Sequence, residues 1–355
     1  MTTEVPAAVL QSYPPFFGVR RTLTCPPPER IDFAAGDGSA LMLHHVPGGS
    51  RGPVIITPGT AMTALTYLID TVPCNFIEFL AAREFDIWMF DWRTSPLLDA
   101  HERSYTLDDV ARYDWPAAVA EVRRRTGRDQ VVVVAHCLSS PCFLLSLLRG
   151  YLPADHVRAF VASQVALHLN MTPVGTFKLK TRVDRLLPGG NMIHQKPAEL
   201  SGTVSDTAVS ALAVVIPKSY SCDNPTCPRH SATFGDVIFH PRLNPPTHDL
   251  MGELIPECLT AFLKDVAVWG RKQTVIAPQD RDHLDRLRLP IHFISGSENR
   301  MFIPLSTERT YRLLCDANGT SFYQRTVYPG FGHLDCFVGQ GADQAIWPDV
   351  ARAIA

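Results

Sequence analysis

VVVVAHCLSSPCFLLSLL, residues 131–148, decides how the rest of the chain reads. Its four consecutive valines are β-branched and carry no polar alternation, which is the composition of a strand covered on both faces of a sheet. The stretch runs straight on into an apolar helix through Ala135-His136-Cys137-Leu138-Ser139. So abrupt a change from strand to helix leaves a sharp turn, and Cys137 stands at its apex.

The same apolar, β-rich composition recurs on either side, in PVIITPG (53–59), FDIWMFDW (85–92), VRAFVAS (157–163) and IHFISG (291–296). Helical stretches lie between these runs, and strand alternating with helix builds a parallel sheet. Ahead of them, residues 20–46 read as a strand pair turning at Gly36-Asp37-Gly38, where Gly and Asp tolerate the positive φ a tight hairpin needs. Residues 107–126 read as helical, with Thr106 as N-cap and Gly127 as stop. Pro116 lacks an N–H and is expected to open a second helical piece there. A helix over 306–315, a strand over 322–328 and a last helix over 342–355 close the chain. From 170 to 269 the pattern gives way to Pro-rich turns and apolar pieces such as TAVSALAVVIP (207–217). That length exceeds a plain loop. The expected organisation is a core in two parts, 1–169 and 270–355, with a cap inserted at 170–269.

Composition narrows the function. Charged residues are 19% and hydrophobic ones 46% of 355, so a large core is affordable, and a net charge of -2 offers no electrostatic footprint for nucleic acid. No apolar run approaches the ~18 residues of a membrane span. MTTEVPAAVLQSYPPFF, at the start, lacks a basic n-region and a continuous apolar h-region. Nine scattered cysteines in a chain of this size read as reduced thiols. The expected location is cytoplasmic. The sequence carries no signal of oligomeric state.

Chemistry concentrates at the turn. In the α/β-hydrolase fold the nucleophile sits in G-x-S-x-G on a strand-to-helix elbow, and nucleophile, acid and histidine follow in that chain order. Here Ala135 and Ser139 stand for the glycines and Cys137 for the serine. FGHLDCF then supplies His333 in a glycine-containing loop. In ISGSENRMFIP (294–304) the usual G-x-x-D spacing falls on Asn299, beside Glu298. Glu298 is the first candidate to orient His333, because a carboxylate stabilises an imidazolium. Asn299 is the second, since a neutral amide suffices beside a thiol in Cys-His-Asn sites. Asp335 and Asp91 come after them, and His136 reads as a packing neighbour. The oxyanion donors are expected to be the backbone N–H groups of Leu138 and of Thr60, in the loop after the first core strand.

The segments PGTAMTALTY, FDIWMFDWR, SYTLDDVARYDWPAAV, AHCLSS, CDNPTC, SENRMFIPLSTERTYR and FGHLDCFVG together resemble an α/β-hydrolase domain associated with sterol-oxidase-like flavoproteins of the glucose-methanol-choline class. No G-x-G-x-x-G follows the first strand, so the flavin half is absent and no cofactor is expected. The cysteine elbow, Trp92-Arg93 and the late Gly332-His333 are more distantly similar to polyhydroxyalkanoate synthases. That likeness implies a Cys-His pair forming a thioester with an acyl group.

The expected fold is therefore an α/β-hydrolase fold, a mostly parallel sheet flanked by helices, with an apolar cap. The expected activity is hydrolysis of an ester, thioester or lactone of a lipophilic substrate through Cys137. The rivals are an acyltransferase or cyclase, and a non-catalytic hydrolase-fold partner. Cys222, Cys227 and His230 form C-x4-C-x2-H, with His240 or His248 available as a fourth ligand. The spacing is not that of a standard finger, so buried thiols or a local disulfide are the simpler expectation and no metal is assigned.

Overall fold

The computed structural model describes residues 20–99, 104–181, 192–215 and 222–355. The hairpin at Gly36-Asp37-Gly38 forms, pairing β1 (Glu29–Ala34) and β2 (Ala40–Val46) antiparallel; the strands begin nine residues later than the start of the expected segment. After it come β3 (Arg51–Thr57), β4 (Phe85–Asp91), β5 (Val131–His136) and β6 (Val157–Ser163). Among the described residues, two short strands, β7 (Met192–His194) and β8 (Glu257–Leu259), pair only with each other. The chain then returns to the main sheet with β9 (Ile291–Gly296) and β10 (Tyr323–Tyr328). The eight-stranded sheet has the order β1-β2-β4-β3-β5-β6-β9-β10. β2 runs antiparallel to β4, and from β4 to β10 every neighbouring pair is parallel. All six residues of β5 are buried, as its unbroken apolar run requires of a central strand. The C-terminal ends of β3, β5, β6, β9 and β10 share one edge, the place where open parallel sheets bind ligands.

Pro116 does not divide the helix. Residues 107–109 and 115–126 are α-helical and are joined without a break by a π-helical turn, Val110–Asp114. The Trp115 N–H bonds back to the Val110 carbonyl, so the ladder is already changing register where the proline's missing donor falls. Thr106 caps the start through a reciprocal bond pair with Asp109, and Gly127 ends the helix at φ +66°. The final helix does divide, into Ala342–Ala345 and Trp347–Ala353, with Pro348 opening the second piece.

The π-helical turn delivers Asp114 to Arg93. The Arg93 Nε lies 2.9 and 3.0 Å from the two Asp114 oxygens, and Nη1 donates to Asp37 Oδ2 at 2.9 Å. One buried guanidinium thus ties the end of β4, the helix and the β1–β2 hairpin together.

Between β6 and β9 the chain leaves the sheet and comes back beside its own point of departure. The Leu169 N–H bonds to the Gln273 carbonyl (3.1 Å), and Val275 N–H to that of Leu167 (3.0 Å). The insertion holds the helices Pro173–Lys180, Val204–Val215, Thr226–Thr233, Pro245–Asp249 and Thr260–Lys272, besides β7 and β8. Residues 216 and 217 of the apolar stretch 207–217 lie outside the described residues. Among those described, no helix is long and apolar enough to cross a membrane.

Arg93→Ala would strand the Asp114 carboxylate in the interior. Denaturant unfolding should show a loss of about 3–5 kcal/mol, and Arg93→Met combined with Asp114→Leu should recover most of it.

Candidate active site

The turn after β5 is left-handed. Cys137 has φ +56°, a conformation disfavoured for a residue with a Cβ. Its N–H bonds to the Ser163 carbonyl at the end of β6 (3.1 Å), and the Ser139 hydroxyl caps the His136 carbonyl (2.8 Å). The helix Ser139–Leu148 starts at once, buried along its whole length. Gly59 passes so close that a Cβ there would sit 2.9 Å from the Cys137 Cβ. Ala61 (φ +60°) and Gln164 (φ +76°) are left-handed too. Three of the five described non-glycine residues with positive φ therefore crowd one sheet edge, where such strain accompanies function.

The backbone N–H groups of Leu138 and Thr60 both face the Cys137 sulfur. Burial pushes the thiol up to about 12, against the smaller downward pull of those two donors. Asp91 holds the loop that presents Thr60. Its carboxylate accepts from the Ala64 N–H (2.8 Å) and the Thr63 hydroxyl (3.0 Å), and His44 Nε2 is 2.7 Å away. Asp91 thus anchors the loop after β3, and among the described residues its hydrogen bonds go to His44, Thr63 and Ala64 rather than to His333.

His333 is buried in the loop after β10, and Asn299 is its partner, with Nδ2 3.1 Å from His333 Nδ1. The Asn299 carbonyl oxygen takes the N–H groups of Met301 and Phe302, each at 3.0 Å. Its amino group is thereby turned toward Gln164 Oε1 (2.9 Å) and His333 Nδ1. With Nδ1 accepting, the imidazole carries its proton on Nε2. That Nε2 is buried and makes no hydrogen bond to the described residues. Burial drives the His333 pKa down to about 3. Cys137 and His333 line the same cavity, yet no hydrogen bond joins them among the described residues.

Glu298, the first candidate of the sequence reading, is not brought to His333. Its half-exposed side chain accepts from the Ser297 hydroxyl at 3.3 Å. The chain turns back on itself there, with the Asn299 N–H bonded to the Gly296 carbonyl (3.2 Å). Adjacent side chains therefore leave on different sides, and the amide takes the inner one. Asp335 holds the histidine loop, accepting from the N–H groups of Gly332 (2.6 Å) and Phe239 (2.9 Å). Burial raises its carboxyl to about 6 against the pull of those donors. The loop lies directly over the end of β9, where a Cβ on Gly296 would meet the Phe331 carbonyl oxygen at 2.1 Å.

Sequence reasoning missed Gln164. Its Oε1 accepts from Asn299 and from the Gly296 N–H (3.1 Å), and its Nε2 donates to the Cys336 sulfur (2.9 Å). The signal was a polar residue placed directly after a buried strand, on the edge that carries Cys137. His136 lies against His333, with ring centroids 4.6 Å apart, and its Nδ1 meets the Ser163 hydroxyl at 3.2 Å. Burial first, and His333 second, push the His136 pKa well below the usual imidazole range.

The cavity beyond is mainly apolar, walled by Met62 and Phe302 from the core and by Leu212, Val237 and Phe262 from the insertion. Among its described lining residues the only Lys or Arg is Lys178, whose ammonium donates to the carbonyls of Ser231 (3.0 Å) and Ala232 (3.2 Å). Burial lowers its pKa to about 8.

No protein-family model matches the chain. Over 188 residues it is 24% identical to human "Lipase member K", covering 47% of each chain. Over 175 residues it is 27% identical to the rat "Lysosomal acid lipase/cholesteryl ester hydrolase", covering 43% of each. The chain thus spans less than half the length of these relatives. A solved esterase from Exiguobacterium antarcticum superposes with a TM-score of 0.58 at 11% identity, covering 92% of this chain and 99% of that one. Strand order, parallel pairing and this superposition together show that the chain has the α/β-hydrolase fold.

Proposed function

We propose that the chain is an acyl-transfer hydrolase in which Cys137 attacks an ester, thioester or lactone carbonyl of a lipophilic substrate. One observation carries this reading: a single sulfur sits at a left-handed elbow, faces two backbone N–H groups and opens onto an apolar cavity shared with His333. The names of the two relatives, a lipase and a cholesteryl ester hydrolase, support an apolar ester.

The thiol proton passes to His333 as sulfur bonds to the carbonyl carbon, and the oxyanion rests on the N–H groups of Leu138 and Thr60. His333 returns the proton to the departing alcohol or thiol, leaving a Cys137 thioester. Water then attacks that thioester by the reverse proton path; an alcohol or amine in its place would make the chain a transferase or cyclase. Accepting the thiol proton at Nε2 requires the imidazole proton to reside on Nδ1, and the Asn299 amide opposes this by donating to Nδ1. The site therefore rests as neutral thiol and neutral imidazole, primed only once the ring changes tautomer.

That same amide favours a second reading, in which the fold binds a lipophilic acyl compound without turning it over. Mass spectra of the intact protein after exposure to a panel of acyl thioesters and esters separate the two. Catalysis predicts an added acyl group mapped to Cys137 and lost in Cys137→Ala. No adduct and no product, with substrate still bound, would establish the binding role.

Asn299→Asp tests the tautomer directly. A carboxylate accepting from Nδ1–H would release Nε2 as a base. The reverse exchange in a serine protease costs about 10⁴ in kcat by holding the wrong tautomer, so a gain of about 10²-fold in the acylation rate is expected. A fall in rate would count against His333 Nε2 as the base that takes the thiol proton. In the unaltered chain neither Cys137 nor His333 changes protonation between about pH 5 and 7, so acylation should be flat there and acquire a limb only in the variant.

A further inference from the structure

The cysteine motif in the insertion is unused by the site above, and the structure changes its membership. His230, which follows Cys227 at the spacing noted in the sequence, is turned away, with Nε2 3.1 Å from the Ile255 carbonyl oxygen. His240 and His248 take its place. One ligand atom from each of Cys222, Cys227, His240 and His248 lies within 4.8 Å of every other. The Cys227 sulfur is 3.2 Å from His248 Nε2, and the two imidazole rings meet nearly edge to face, 5.1 Å apart at 72°.

We propose that Cys222, Cys227, His240 and His248 form a structural Zn²⁺ site. Two thiolates and two imidazoles are the ligand set tetrahedral zinc favours over harder cations. With Zn–S of about 2.3 Å and Zn–N of about 2.0–2.1 Å, the edges of such a tetrahedron are roughly 3.3–3.8 Å. The observed spread closes to that by small side-chain rotations. Binding forms two Zn–S and two Zn–N bonds and releases the two thiol protons to solvent, with no change of oxidation state. Four protein ligands leave no open position, and none of the four lines the Cys137 cavity. The metal holds structure and takes no part in acyl transfer.

The local chain shows why a metal is useful there. Cys222 lies in a loop, Cys227 near the start of the helix Thr226–Thr233, His240 in the single turn His240–Arg242 and His248 in the short helix Pro245–Asp249. Pieces this short have little apolar surface to bury against one another. Asn224 already ties the loop to the last of them, its Nδ2 donating to the His248 carbonyl at 2.6 Å. The segment between Cys227 and His240 carries Phe234 and Val237 into the cavity wall. It also grips the histidine loop, since the Val237 carbonyl takes the Leu334 N–H (2.9 Å) and the Phe239 N–H reaches Asp335. Zinc would thus fix the surface on which the His333 loop rests.

The test uses the full chain, reduced and stripped of metal, titrated with Co²⁺ and then with Zn²⁺. Saturation at one equivalent, with the visible bands of tetrahedral cobalt and a thiolate charge-transfer band that Zn²⁺ abolishes, is expected. Zn²⁺ should also raise the melting temperature. Cys222→Ser and His248→Ala should lose the charge-transfer band or weaken binding about tenfold or more, whereas Cys315→Ser, outside the cluster, should retain both. Should the ligand variants fail to fold, the titration of the unaltered chain decides. Absence of the thiolate band at one equivalent of Co²⁺ would overturn the proposal. So would a Cys222–Cys227 disulfide found in peptides alkylated before reduction.

Discussion

A strand buried on both faces cannot be followed by a buried helix unless the chain reverses within a residue or two, and β5 makes that reversal at Cys137. The backbone accepts a left-handed conformation there because the sheet holds one side of the turn and the helix the other. The arrangement is tight enough that the neighbouring loop can bring only Gly59 alongside. Everything else at the sheet edge is arranged around this point. β3 leads to the N–H of Thr60, β6 to Gln164, β9 to Asn299 and β10 to His333, so successive strand ends each contribute one polar group.

Those groups form a chain without a formal charge. Backbone N–H groups hold the Asn299 oxygen, Asn299 and Gly296 share the Gln164 oxygen, and Gln164 reaches Cys336. A carboxylate in Asn299's place would have to be desolvated and its charge balanced. A neutral amide avoids that cost, at the expense of a less basic histidine. For the proposed acyl transfer, a cysteine would suit such surroundings better than a serine, because its sulfur ionises far more readily than a hydroxyl.

The sheet was legible in the sequence because central parallel strands are mainly apolar on both faces, and 131–136, 157–163 and 291–296 hold fourteen apolar residues in nineteen, Gly296 included, with Arg158 the one exposed exception. Cys137 and His333 were legible from their order relative to those strands. Glu298 and Asn299 could not be separated, since a reversal of one residue decides which side chain faces inward, and composition does not encode it. Gln164 went unseen because its value lies in reaching a residue 135 positions away. Pro116 misled because a π-helical turn absorbed the missing donor. Only Gln164 was decided by a long-range contact; the other two turned on a local change of backbone conformation that residue types do not spell out.

The insertion leaves and rejoins the sheet at adjacent points, where 167–169 meet 273–275. Closing a loop whose ends are already held together grows only logarithmically with its length, by about 0.6 kcal/mol per doubling. The sheet is therefore nearly indifferent to how many residues are hung from that neck. Lineages sharing this scaffold can exchange, enlarge or trim what hangs there without refolding the rest, so the pocket wall is free to diverge while the elbow beneath it stays in place.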